Sequence, residues 1–236
     1  MNNLVQEQKA TSDPIQDLLN AIIKSMLPKI NSAIQSAIKN NHLDPWGQVA
    51  HGSDTLGSIN LGICHASVKA SYNVGNMRGL SSFGVKSLEI SSAHQDGNNP
   101  GRLVGTVIMS GALGSNLSAH VGGGIEAKCG FIHKSVGLGG TATVKGTTVN
   151  AAGSFTASIE GNKVCLNSVV ISNASIDYGN VDVSIDGLGI FNSFLSPLID
   201  VVVGLFKGQI RGAISSALTP LINKEVSSVM PQCHNL

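Results

Sequence analysis

Two stretches of this chain repeat apolar residues at intervals of three and four, and a long stretch between them alternates at intervals of two. The first stripe runs Ile15, Leu18, Leu19, Ile22, Ile23, Met26, Leu27, Ile30, Ala33, Ile34, Ala37 and Ile38. Residues three and four apart share one face of an α-helix, so the spacing predicts an amphipathic helix over residues 13–41. Leu195, Leu198, Ile199, Val202, Val203, Phe206, Ile210, Ala213, Ile214, Ala217, Leu218, Leu221 and Ile222 repeat the pattern and predict a second helix over residues 193–226. Ser12 or Asp13 is suited to cap the first helix and Pro14 to open it, because the first position needs no amide hydrogen. Pro28 predicts a bend within it, and residues 1–12 are expected to be a flexible lead-in. Gly204, Gly208 and Gly212 fall four apart on the second helix, a stripe expected to let it pack closely on a sheet.

From about residue 55 to 187 the period changes to two. Alternation shows in Ile59–Ile63, Val68–Tyr72, Leu103–Met109, Thr141–Val144, Ser154–Ile159, Val164–Leu166, Val169–Ile171 and Val181–Ile185, the signature of strands with one face buried. Asp96-Gly97-Asn98-Asn99-Pro100-Gly101, Glu160-Gly161-Asn162-Lys163 and Tyr178-Gly179-Asn180 supply turns between them. His42 to Gly47 reads as the turn from the first helix into this region. The expected fold is therefore α+β: one long antiparallel meander bracketed by two long helices, in a single domain over 1–236. Glycines inside the strands, among them Gly105, Gly122, Gly123, Gly124, Gly139 and Gly140, allow the bulges that a strongly curved sheet needs.

Composition changes what such a fold can do. Charged residues make up 12% of the 236 and aromatics 4%, so the interior must be built from aliphatic side chains and methionine. The formal net charge is +1 and no basic cluster accompanies it, which argues against nucleic acid as a partner. No uninterrupted apolar run reaches the ~20 residues that span a bilayer, and stable membrane insertion is not expected. Met1 to Lys9 lacks the basic-then-apolar pattern of a signal peptide; the chain reads as a mature secreted form with an added Met. Four cysteines (Cys64, Cys129, Cys165, Cys233) allow two disulfides in three connectivities, and sequons stand at Asn116 and Asn173. Cys129 and Cys165, both in strand-like sequence, are the first pairing to expect.

Catalytic patterns are missing from the sequence. Gly79-Leu-Ser-Ser-Phe-Gly84 has the wrong spacing for a nucleophile elbow, and Gly137-Leu-Gly-Gly-Thr-Ala142 leads into strand-like sequence where a dinucleotide site needs a helix. The seven histidines form no His-x-x-x-His pair. Cys64-His65 and Cys233-His234 lack metal-site spacing and suit disulfides better. No enzyme activity, metal or cofactor is expected.

Helix, curved antiparallel strands, long C-terminal helix is the order of the tubular lipid-binding superfamily. The chain resembles its arthropod branch, the mite group-seven allergens, with juvenile-hormone-binding and takeout proteins more distant. The stretches that carry this are Asp13-Pro14-Ile15, Asn76-Met77-Arg78-Gly79-Leu80, Leu195-Ser196-Pro197-Leu198-Ile199 and, closest, Leu218-Thr219-Pro220-Leu221-Ile222-Asn223-Lys224-Glu225. Takeout-type proteins carry a cysteine pair near the N-terminus, and none precedes Cys64 here. The resemblance implies a curved sheet wrapped around a helix, enclosing an apolar groove or tunnel for a lipid-like molecule.

The expected partner is accordingly a long apolar small molecule, a lipid, terpenoid or carotenoid, held without chemistry. Ile22, Met26, Ile30, Val202, Phe206 and Ile210 lie along the two stripes and are the expected lining, with Met77 and Met109 adding thioethers that fit irregular shapes. Trp46 is expected to cover one end of the core. The alternative expectations are a membrane-active defence protein, with Lys24, Lys29 and Lys39 as its basic residues, and an interaction protein whose groove takes a partner's apolar segment.

Overall fold

The computed structural model describes residues 14–236. The proposed caps Ser12 and Asp13 and the lead-in segment lie outside these. Helix α1 (Pro14–Asn40) opens on Pro14 and runs unbroken through Pro28. Nine strands follow: β1 (Trp46–Asn60), β2 (His65–Arg78), β3 (Phe83–Asp96), β4 (Asn99–Leu113), β5 (Leu117–Cys129), β6 (Ile132–Lys145), β7 (Thr148–Glu160), β8 (Lys163–Asp177) and β9 (Asn180–Asp186). A 3-10 turn over Gly189–Phe194 leads into α2 (Leu195–Leu205), a π-helical turn (Phe206–Ile210) and α3 (Arg211–Ser227), and β10 (Gln232–Asn235) ends the chain. The class is α+β, as expected from the change of period.

The strands do not form one meander. They divide into two antiparallel five-stranded sheets, ordered β1-β2-β5-β6-β9 and β10-β8-β7-β4-β3. Each hairpin stays in one sheet and the next belongs to the other, so the chain crosses between sheets after β2, β4, β6 and β8. The sheet region begins at Trp46, nine residues before the expected start at 55, and gains β10 beyond α3. Asp44 fixes the first crossing: its carboxylate accepts the amides of Gly79 (3.2 Å) and Ser81 (2.7 Å). Gly79 has φ of 102°, and a Cβ there would collide with the carbonyl of Asn116, so glycine is required.

Both sheets curl, and helices fill the gaps. In the first sheet, the edge strands β1 and β9 both touch α2, which is possible only if the sheet bends until its edges face one helix. In the second, α1 lies along edge strand β3 and α3 along β8, and the two helices touch each other. The C-terminal helical run must therefore serve one sheet with α2 and the other with α3. Apart from Leu205, its buried residues Leu198, Val202, Phe206, Ile210, Ile214, Leu218, Ile222 and Val226 stand four apart. Each step of four overshoots a helical turn by ~40°, so the buried stripe winds around the axis as the helix passes from sheet to sheet. The π turn, which inserts a wider i→i+5 loop at Phe206–Ile210, lies where that change of partner occurs.

The edges of the second sheet are closed by side chains. A free strand edge invites pairing with another chain, and here carboxamides occupy it. Asn20 accepts the amide of Ile90 at 2.7 Å and directs its own NH2 at the Ile90 carbonyl; Asn31 does the same with Val85, at 2.7 and 3.0 Å. Gln16 and Gln35 donate to Ile90 and Phe83. The spacing is self-consistent: eleven helical residues rise ~16.5 Å, as do five strand residues at ~3.3 Å each. On β8, Asn223 forms the same pair with Ile171 (2.7 and 2.8 Å), Thr219 accepts the Ala174 amide, and Ser215 donates to the Ala174 carbonyl.

The structure overturns two expectations. The disulfides are Cys64–Cys129 and Cys165–Cys233, not Cys129–Cys165, because Cys129 ends β5 in one sheet while Cys165 is in β8 of the other. Cys165 and Cys233 are register partners across β8 and β10. The glycine stripe faces outward rather than onto a sheet: Gly204, Gly208 and Gly212 are exposed, and a Cβ at any of them would meet no atom within 4 Å. The run Gly189–Ser227 is also long and apolar enough, by length and composition, to cross a bilayer, although no uninterrupted apolar run of that length exists in the sequence; in this fold its stripe is buried.

Candidate functional site

The eight residues expected to line a ligand space all lie in one hydrophobic core. Ile22, Met26 and Ile30 follow one another at four-residue steps on α1; Val202 is on α2, and Phe206 and Ile210 bound the π turn. Met77 closes β2 opposite Trp46, and Met109 sits on β4 opposite Leu88. None is more than 8% exposed, and all belong to a single contiguous cluster running through both helices and both sheets. Trp46 is half-buried against that cluster at the start of β1.

The electrostatic character of this interior is uniform. Among the described residues the one buried polar side chain is Thr147, and every other buried residue is apolar. The Thr147 hydroxyl and the Tyr178 hydroxyl are buried without a hydrogen-bond partner; both stand at crossings between the sheets, Thr147 before β7 and Tyr178 before β9. Burial pushes the Tyr178 phenol up to about 12, against a smaller opposing pull from the nearby Arg211 guanidinium. No group of three or more His, Cys, Asp or Glu among the described residues is placed to hold a metal. All four cysteines are in disulfides.

A groove that the sequence did not announce lies between α1 and β3. It measures about 420 Å³ and is lined by Asn20, Ala21, Lys24, Leu27 and the β3 segment Lys86–Glu89. It opens between the Asn20–Ile90 and Asn31–Val85 pairs, where a bulge between Val85 and Ser87 disturbs the strand's register. Pattern reading misses it because the spacing on α1 shows only its inward face and bulges break the alternation of β3. Lys24, Lys29 and Lys39 are exposed along α1, and Lys24 lies on the groove's rim.

No known protein family matches the sequence, and no curated protein matches it. Among solved structures the chain is similar to a lipopolysaccharide binding protein, at 15% identity and a TM-score of 0.40, over 89% of this chain and 38% of that one. The chain thus spans well under half of that protein's length.

Proposed function

We propose that this chain binds a long hydrophobic molecule between its helices and curled sheets and carries or stores it without chemical change. The observation that supports this most is the continuity of the apolar interior from α1 to α3, with Thr147 its one buried polar member among the described residues. An interior of that size built from flexible aliphatic and thioether side chains can rearrange around an apolar guest. The resemblance to tubular lipid-binding proteins points the same way, and two disulfides are consistent with an extracellular setting. The ligand class is a neutral lipid, terpenoid or carotenoid. A carboxylate taken into this interior would lack a cationic partner and would be strongly disfavoured or protonated.

The test is an absorption spectrum and an organic-solvent extract of protein from its natural source, followed by competition at neutral pH. A neutral terpenoid, carotenoid or acylglycerol is expected to outcompete a fatty-acid anion of similar length. An extract without any apolar molecule, together with no uptake of a neutral chain, would overturn the reading. A preference for the anion that disappears on removing one lysine or arginine would overturn the ligand class.

A further inference from the structure

The two hairpins at the far end of the first sheet carry apolar residues that the fold leaves outside. Ile63, in the turn between β1 and β2, is 75% exposed, and Phe131, in the turn between β5 and β6, is 91% exposed. Strands β2 and β5 are neighbours, with Ser67 opposite Lys128, so these turns stand side by side. The Cys64–Cys129 bridge, adjacent to Ile63 and two residues from Phe131, fixes them together. Cations accompany them. Lys128 and Lys134 are exposed on the β5–β6 hairpin; they pair with His133 and Ala127 respectively, and the alternation of the pleat places them on opposite faces. His65 and His133 are also exposed nearby, and the carboxylate of Glu126, two residues before Lys128, already meets His133 at 3.3 Å.

We propose that this disulfide-linked pair of turns is a docking tip for an anionic lipid surface, with Phe131 and Ile63 entering the interface and Lys128 and Lys134 meeting headgroup phosphates on either side. Two side chains at the end of a hairpin pair expose on the order of 300 Å², well short of the ~800 Å² that each partner of a stable protein interface buries. That favours a bilayer over a protein partner. Apolar residues flanked by lysines are what interfacial binding uses. The proposal stands on the tip alone and does not depend on the interior holding a ligand.

The experiment is vesicle co-sedimentation of the full chain with phosphatidylcholine alone and with phosphatidylcholine containing phosphatidylglycerol. Wild type should bind the mixed vesicles more tightly, and F131D should weaken that binding roughly tenfold or more. Each of K128E and K134E should lose about fivefold or more, on anionic vesicles only. Both turns are exposed, so F131D should keep its circular dichroism, its melting temperature and its lack of free thiols. As a positional readout, F131W should be quenched by brominated lipid while Trp46 in wild type is not. Unchanged binding of F131D, or no binding of wild type to either vesicle at low salt, would overturn the proposal. So would a wild-type dimer that F131D converts to monomer, which would make the tip a contact between copies of the chain. Uptake of a carotenoid from solution, measured on F131D by its absorption, should match wild type and separates failure of the tip from failure of the carrier reading.

Discussion

The carboxamide of Asn31 closes a ring with the backbone of Val85, its oxygen accepting the Val85 amide at 2.7 Å while its nitrogen donates to the Val85 carbonyl at 3.0 Å. A helix side chain here takes the place of the missing next strand. Asn31→Ala leaves two backbone groups of β3 without partners and should cost about 1–3 kcal/mol, read as a lower midpoint in urea. Asn20→Ala, ~16.5 Å away along the helix, should add its own loss almost independently. The double variant should also aggregate, because β3 becomes an open edge. Stability unchanged in both variants would show that the amide pairs are incidental.

Tyr178 gives a pH signature. Its phenol is raised from 10.0 to about 12, so the folded state holds the proton more tightly than the unfolded chain. Stability therefore keeps its full value below pH ~10, where both states hold the proton, and is lost as pH rises through ~12. Chemical denaturation between these limits should show wild type losing stability that Tyr178→Phe does not lose. At neutral pH the phenylalanine variant should be as stable or slightly more so, since it removes an unpartnered buried hydroxyl.

Gly204, Gly208 and Gly212 are helical, exposed and unobstructed. Replacing Gly204 or Gly212 by alanine should stabilise the fold by about 0.4–1 kcal/mol each, mainly by restricting the unfolded chain. Gly208 lies within the π turn, and alanine there is expected to gain less. Thermal melts of the three variants settle the order, and a loss at Gly204 or Gly212 would mean that this face is covered in the working protein.

The disulfides predict no reactive thiol in the unfolded, unreduced chain. Their closed loops are set by sequence separations of 65 and 68, for which chain entropy gives about 4 kcal/mol each. Reduction should lower the unfolding free energy by up to that amount per bridge. Peptide mapping that joined Cys129 to Cys165 would contradict the division of strands between sheets.

Both helices were legible because their apolar spacing extends over many turns, and β4, β7 and β8 because short apolar stretches in them are bounded by turn residues. The division into two sheets was not. It depends on pairings such as Ser67 with Lys128 and Leu103 with Ala157, and local spacing carries no signal for partners so far apart. β3 was hidden by bulges after Val85 and Ile90 that break its alternation. β5 was hidden by Gly122-Gly123-Gly124, read as a source of curvature; Gly123, with φ of 149°, in fact lies where a Cβ would meet the Ser71 carbonyl. The burial of Ile22, Met26, Ile30, Val202, Phe206 and Ile210 was legible because a helical stripe names its own buried face. Ile63 was misread as the end of an alternating run, Ile59–Ile63, where β1 in fact stops at Asn60 and the chain turns; Phe131 was overlooked because an apolar residue in a turn has no periodicity to contradict.

The alternation of hairpins between the sheets bears on the order in which the chain can assemble. The hairpins β1–β2, β3–β4, β5–β6 and β7–β8 each close over a short turn and need nothing else to begin. Joining β5 to β2, β7 to β4 and β9 to β6 spans far longer loops, and these joints alternate between the two sheets. Neither sheet can be finished while the other waits, and a growing chain halted at any crossing from β4 onward holds two incomplete sheets with open edges. Folding should therefore be slow for a chain with such long helices, in keeping with its non-local pairings. The second sheet acquires its last strand only when β10, which follows α3, reaches β8.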